Sequence, residues 1–135
     1  MIEAYSNNIS VATDATIPFM NVHIQKGCTA KIESSGTIEL NRAGIYMVAV
    51  DVAGTPTSDG DMSIQLYKNG IAQPQAQSIV DGTTAAAANM SFTTLVQVKE
   101  NNTCSCCTSP TFIRVVNTGV PVVYAITNIV VTKIC

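Results

Sequence analysis

The chain has 135 residues and a net charge of −2; only 12% of its residues are charged, although 47% are hydrophobic. This length suits one domain with a proper core, but ordinary soluble domains carry roughly 25% charged residues. The acidic net charge and the lack of a Lys/Arg cluster exclude a basic nucleic-acid-binding surface. No apolar run of about 18 residues that could insert into a membrane is present. Because so few charges are available to solvate the surface, we expect part of it to be buried in an oligomer.

Residues 1–8 contain no basic region followed by an apolar core, which is the pattern of a secretory signal. We therefore expect synthesis in the cytoplasm without export by the general secretory route. Residues 1–8 are predicted to form a flexible N-terminal arm, and the whole of 1–135 is predicted to be a single domain.

Short apolar stretches separated by turn residues run through the first part of the chain. Residues 8–19 and 20–33 each predict short strands. Gly36–Val52 predicts a hairpin, with a short strand, a turn at 41–44 and a long strand. Gly44 suits a turn position that needs a positive φ, where a Cβ would clash.

The long strand that begins at Ile45 has apolar side chains on both faces. Successive side chains of a strand point to opposite faces, so the even-numbered residues from Tyr46 to Val52 form one apolar face. Ile45, Met47 and Ala49 form most of the other. Only one face of a strand is dry in a lone two-sheet sandwich. The second face therefore needs another cover, and a second copy of the chain is the candidate.

The rest of the chain also has strand composition. Met62, Ile64 and Leu66 alternate inward, and the Asn69-Gly70 pair after them fits a type I′ hairpin turn. The return strand at 72–80 contains Pro74 and is therefore predicted at an edge. Further strands are predicted at residues 85–98, 112–116, 120–126 and 129–134. Eight to ten strands at this spacing, without a helix of useful length, predict an all-β antiparallel jelly-roll sandwich.

Three segments in this order resemble the globular head of the complement and tumour necrosis factor superfamily. They are Gly36–Leu40 with Gly44-x-Tyr46 and the long strand after it, Ser63–Gly70 ending in Asn-Gly, and the last strand from Asn128 to Ile134. The resemblance extends over about residues 15–135 and implies a ten-stranded jelly roll that assembles as a homotrimer. The composition, which is rich in Thr, Val and Ala and poor in charged residues, resembles that of bacterial and bacteriophage versions of the head.

The resemblance implies a structural or binding role without a cofactor. We expect an accessory, decoration or tip protein of a phage or prophage particle, exposed on the virion. Its partners would be other copies of itself, other virion or surface proteins, and a glycan or protein receptor on the host surface. A bacterial cell-surface or spore-coat head is an alternative. The residues expected to line the trimer axis are Met47, Ala49, Ile126 and Val130.

Enzymatic activity is not expected, because the sequence lacks the groups that catalysis needs. The single histidine, His23, lies on the polar side of a predicted strand and is interpreted as a surface or interface residue. No Gly-x-Ser-x-Gly elbow, His-Glu-x-x-His motif or phosphate-binding glycine loop is present. The acidic residues are few and scattered, so nothing in the sequence indicates a catalytic pair of carboxylates.

Five cysteines are the unusual feature, and an odd number cannot all pair within one chain. Reduced thiols, disulfides formed after release, and a metal site are three open interpretations. Cys104, Cys106, Cys107 and Cys135 are the candidates for disulfides or for metal ligands. A metal site would make the chain a thiol-rich metal-binding protein, although the paired Cys-x-x-Cys of zinc ribbons is absent.

Asp59-Gly60-Asp61 lies in a segment rich in turn residues. Asp59 and Asp61 are weak candidates for calcium ligands, since carboxylates are the ligands that calcium prefers. A solvated turn is the alternative interpretation of the same three residues.

Overall fold

A computed structural model of the chain describes residues 1–33, 35–99 and 110–135. These residues form eleven β-strands and no helix. None of the described chain is therefore a helix long and apolar enough to cross a membrane. The strands are β1 (Ile2–Val11), β2 (Ala15–Thr16), β3 (Asn21–Gln25), β4 (Ala30–Ile32), β5 (Ile38–Leu40), β6 (Gly44–Pro56), β7 (Gly60–Lys68), β8 (Ile71–Gly82), β9 (Ala88–Val98), β10 (Thr111–Asn117) and β11 (Val122–Lys133).

The strands form two antiparallel sheets that pack face to face as a jelly-roll sandwich. The first sheet has the order β3-β1-β11-β6-β9, and the second has the order β4-β5-β10-β7-β8, with β2 paired to β10. One hydrophobic core lies between them and takes side chains from both sheets. The predicted all-β jelly roll is confirmed, with eleven strands among the described residues where eight to ten were predicted.

The long predicted strand is confirmed as β6, the longest strand, which lies between β11 and β9. Its even-numbered side chains from Tyr46 to Val52 are at most 2% exposed and face the core. Gly44, where β6 begins, has the expected positive φ, at 143°. A Cβ on Gly44 would clash with the carbonyl oxygen of Cys135, so a side chain is excluded there by the C-terminal residue as well as by φ.

The predicted hairpin between β5 and β6 is wrong. β5 pairs with β4 and β10 in the second sheet, whereas β6 belongs to the first sheet. Residues 41–43 therefore cross the sandwich instead of reversing within one sheet. The Tyr46 hydroxyl donates a 2.8 Å hydrogen bond to the carbonyl oxygen of Arg42 and so fixes this crossing. Ile38 and Tyr46 are fully buried against the same core from opposite sides, which satisfies the apolar pattern without a hairpin.

The N-terminal residues also differ from expectation. Residues 2–11 form β1, which pairs with β11 on one side and with β3 on the other. The flexible arm expected at residues 1–8 is therefore not found. The inward positions are Ile2, Ala4 and Ser6, all at most 1% exposed. Alanine and serine at two of these positions made the alternation too weak to recognise in the sequence.

The turn predicted between β7 and β8 is confirmed. Asn69 and Gly70 have φ values of 50° and 80°, as a type I′ turn requires. β8 lies at the edge of the second sheet, the place expected for a strand that contains Pro74. At the other end of the chain, the strands predicted at 120–126 and 129–134 form one strand, β11, whose register shifts between Tyr124 and Ile126.

A buried polar network joins the two sheets at one end of the sandwich. The side-chain amide of Asn117, which is fully buried, donates to the carbonyl oxygens of Val11, Ala12 and Val120 at 3.1–3.2 Å. Its carbonyl oxygen accepts a 3.0 Å bond from the Tyr124 hydroxyl. Burial raises the pKa of that phenol above its ordinary value, so the hydroxyl remains a donor at alkaline pH values where an exposed tyrosine would lose its proton.

Candidate functional site

The outward face of the first sheet carries an apolar patch at its centre. Alternation along β6 turns Met47 and Ala49 away from the core, where both are half-buried in the isolated chain. Ala49 lies directly across from Val130 of β11, and Met47 lies directly across from Leu95 of β9. Leu95 is 57% exposed. Cross-strand neighbours on one face lie within contact distance, so these side chains form one surface. The apolar patch consists of Ile45, Met47, Ala49, Leu95 and Val130.

Three of the four predicted axis residues therefore lie together, and the fourth is separate. Ile126 also faces outward and is 49% exposed, but it lies across from Ala53. Between it and the apolar patch runs a polar row across four strands. This polar row consists of Tyr5, Asn128, Asp51 and Ser91.

His23 lies beside this face, on the edge strand β3, and it is exposed as expected. Its Nδ1 atom is 2.6 Å from Oε1 of Glu3. Glu3 in turn lies across from Val130, at the margin of the apolar patch. Within residues 1–33, 35–99 and 110–135, Glu3 is the one side chain bonded to His23, and no serine or cysteine contacts the imidazole. The arrangement there is a hydrogen-bonded imidazole–carboxylate pair and not a nucleophile with its base.

Three of the four candidate cysteines, Cys104, Cys106 and Cys107, lie outside the described residues. Cys135 is exposed at the C-terminus, where its carbonyl oxygen accepts a 3.3 Å hydrogen bond from the amide of Ile45. Cys28 is also exposed, with its sulfur 4.0 Å from the guanidinium of Arg42. The three interpretations of the cysteines therefore stay open.

The two calcium candidates, Asp59 and Asp61, lie beside different residues. An Asp59 carboxylate oxygen accepts a 2.9 Å hydrogen bond from the amide of Thr84. Asp61 is exposed and lies directly across from Asp81 on the neighbouring strand. In the described part of the chain, no group of three or more His, Cys, Asp or Glu residues is arranged to hold a metal ion.

The outward face of the second sheet contains a group that the sequence analysis did not identify. The guanidinium carbon of Arg114, on β10, lies 5.0 Å from the centre of the Tyr67 ring. Its Nη1 atom donates a 2.9 Å hydrogen bond to the hydroxyl of Thr16. Phe112, two residues earlier on the same face, is 39% exposed. The alternation of Thr111–Asn117 was the available signal, because it places Phe112 and Arg114 on one side of the strand.

No protein-family model matches the sequence, and no curated protein matches it. Its fold nevertheless matches solved structures. The Eiger TNF of S. frugiperda matches with a TM-score of 0.73 at 13% identity, covering 99% of this chain and 92% of that one. The globular domain of the zebrafish complement 1qA protein matches with a TM-score of 0.63 at 9% identity, covering 96% and 94%. PRD1 vertex protein P5, from a phage, matches with a TM-score of 0.61 at 16% identity, covering 99% and 96%.

At these identities, the likenesses establish the fold alone. The fold is that of a TNF-like jelly roll, as the order of the three sequence segments implied. The likenesses extend over nearly all of this chain and nearly all of each similar chain.

Proposed function

We propose that this protein is a non-enzymatic, homotrimeric head with a structural and binding role. The observation that supports this most directly is the apolar patch on the outward face of the first sheet. Met47 and Ala49 lie on an interior strand whose other face already fills the core. Contiguous apolar surface of this kind on a small domain marks an interaction site. Another copy of the chain is the partner that accounts for it, and the TNF-like fold favours three copies around one axis.

We further propose that the head belongs to a phage or prophage particle, as an accessory, decoration or tip protein that contacts the host surface. The likeness to PRD1 vertex protein P5 supports this setting over a bacterial cell-surface or spore-coat head. The low fraction of charged residues also suits a subunit that hides surface in an assembly.

We assign Met47, Ala49 and Val130 to the contact between copies, and we place Ile126 outside it, beyond the polar row. A carboxylate introduced at position 49 would be buried without a partner when copies meet, and burying an unpaired charge is strongly unfavourable. Ala49→Asp is therefore expected to block assembly. Gln75→Asp adds the same charge at an exposed position of β8 in the second sheet and serves as the matched control.

Light scattering coupled to size-exclusion chromatography measures the outcome. Wild type and Gln75→Asp are expected at three times the chain mass of 14.2 kDa, and Ala49→Asp at one chain mass with an unchanged β-sheet circular dichroism spectrum. A wild-type monomer at micromolar concentration contradicts the trimer. A trimeric Ala49→Asp variant contradicts the assignment of this face. Ile126→Lys is expected to weaken assembly less than Ala49→Asp, because Ile126 lies beyond the polar row.

A further inference from the structure

The guanidinium of Arg114 is held in place by two neighbouring side chains. β10 lies between β5 and β7 in the second sheet, and Arg114 points outward from it, half-buried. The ring of Tyr67 lies against one side of the guanidinium, and the Thr16 hydroxyl accepts one of its five N–H bonds. Among the described residues, no acidic side chain forms a salt bridge with it. Within residues 1–33, 35–99 and 110–135, four donors and a full positive charge therefore remain on a preorganised group.

An exposed aromatic ring lies next to this cation. Phe112 is two residues away on the same face, a separation of about 7 Å along a strand. Both backbone polar groups of Phe112 are hydrogen-bonded to Asn69. The Asn69 side-chain oxygen accepts a 2.9 Å bond from the Phe112 amide, and the Asn69 amide donates a 2.8 Å bond to the Phe112 carbonyl oxygen. An apolar ring is thus presented to solvent from a fixed backbone.

A carboxylate completes the group on the other side of the ring. Glu39 of β5 lies directly across from Phe112 and is half-buried. Lys31 of β4 lies across from Glu39, farther from Arg114. The face therefore presents a donor fork, an aromatic ring and an acceptor, side by side on rigid strands. We name this group the β10 face: Thr16, Glu39, Tyr67, Phe112 and Arg114.

We propose that the β10 face binds a carboxylate-bearing saccharide. One sugar ring packs its C–H side on Phe112, its carboxylate accepts paired hydrogen bonds from Arg114, and a hydroxyl donates to Glu39. Charge complementarity selects this ligand class. A lone guanidinium fits a single carboxylate, whereas the chain's net charge of −2 opposes an extended polyanion. The single exposed ring matches one sugar and is too small for a peptide groove.

This inference rests on the proposed function, because a trimer that buries the first sheet leaves the second sheet free to meet the host surface. It names the chemical class of the receptor contact. The two proposals use opposite faces of the sandwich, so each can fail without the other.

Isothermal titration and saturation-transfer NMR, with 3′-sialyllactose, trigalacturonate and neutral lactose as probes, test the inference. Wild type is expected to bind at least one acidic probe at least ten times more tightly than lactose. Arg114→Gln and Phe112→Ser are each expected to weaken that binding at least tenfold. Lys31→Gln removes the same charge from the same sheet and is expected to change it by less than twofold. Arg114→Lys keeps the charge without the fork and is expected to fall between Arg114→Gln and wild type.

Several results would overturn the inference. The inference is overturned if neither acidic probe binds wild type, or if lactose binds as tightly as the acidic probes. An equal loss in Lys31→Gln would mean unspecific charge attraction, and equal binding of a tetraglutamate peptide would mean a peptide site. Light scattering on the same samples separates the two proposals. A trimer that binds no acidic sugar overturns this inference alone, and a monomer that binds one overturns the trimer alone.

Discussion

Replacing Asn117 with leucine tests whether the buried polar network holds the two sheets together. The side chain is fully buried, and its amide bonds the carbonyl oxygens of Val11 and Val120 from two different segments. Its oxygen accepts from the Tyr124 hydroxyl, which is also fully buried. Leucine has a similar size but no polar atoms, so Asn117→Leu removes the hydrogen bonds with little change of volume.

The expected loss follows from the groups left without partners. The Val11 carbonyl and the Tyr124 hydroxyl lose buried bonds, and each buried unpaired group costs about 1–3 kcal/mol. Asn117→Leu should therefore lower the free energy of unfolding by about 3–5 kcal/mol, a large part of the roughly 5–15 kcal/mol typical of a domain. Tyr124→Phe should cost about 1–2 kcal/mol in the wild type. It should be neutral or stabilising in the Asn117→Leu background, where the hydroxyl has no acceptor.

Urea unfolding followed by circular dichroism, at one protein concentration and with reducing agent, measures the four proteins of this cycle. A coupling free energy of about 1–3 kcal/mol is expected for side chains in one network. Asn21→Leu, at an exposed position of the edge strand β3, is the control and should change stability by no more than about 0.5 kcal/mol. If Tyr124→Phe costs the same in both backgrounds, the two side chains are not coupled, and the network argument is refuted.

Three further predictions concern alkaline pH, surface charge and the cysteines. Burial raises the pKa of Tyr124, so the folded chain holds a proton that the unfolded chain releases above about pH 10. Stability should therefore be unaffected below that pH and fall above it, and a Tyr124→Phe variant with an equally steep decline would contradict this. Asp61 and Asp81 lie directly opposite each other on the neighbouring strands β7 and β8, so their like charges repel. Asp81→Lys should therefore raise the melting temperature, and the increase should be smaller in 1 M salt, which screens the charges. No increase at low salt would contradict the repulsion. If the cysteines are reduced, protein purified without oxygen and treated with a thiol-alkylating reagent should gain five alkyl groups per chain, one for each cysteine. Stoichiometric zinc in an elemental analysis would instead favour the metal-binding alternative.

Where the sequence alternates strongly, it predicts the fold well. β6 alternates large apolar residues on the core side without interruption, and the even-numbered residues from Tyr46 to Val52 are buried accordingly. The Asn69-Gly70 pair predicts its turn because few other residues tolerate two successive positive φ values. In both places a local physical constraint decides the structure, and the sequence contains that constraint in full.

The errors arise where the structure depends on contacts between distant segments. Ile38 and Tyr46 fit a hairpin and a sheet crossing equally well, because both arrangements bury them; pairing of β5 with β10 decides between the two. Residues 2–8 become a strand because β11 and β3 hydrogen bond on either side. Arg114 was missed for the same reason, since Thr16, which fixes it, lies 98 residues away.

The candidate interface could be predicted only in part, and its boundary depends on one charge. Met47, Ala49 and Val130 follow from alternation and register, and they meet without a charged side chain between them. Extending the contact to Ile126 would also bury Asp51, which lies between Asn128 and Ser91 in the polar row. The neutral amide of Asn128 and the hydroxyl of Ser91 would offset only part of the free-energy cost of desolvating the Asp51 carboxylate. The contact between copies is therefore expected to end at Asp51, which makes this residue the factor that sets how far the interface extends along β6.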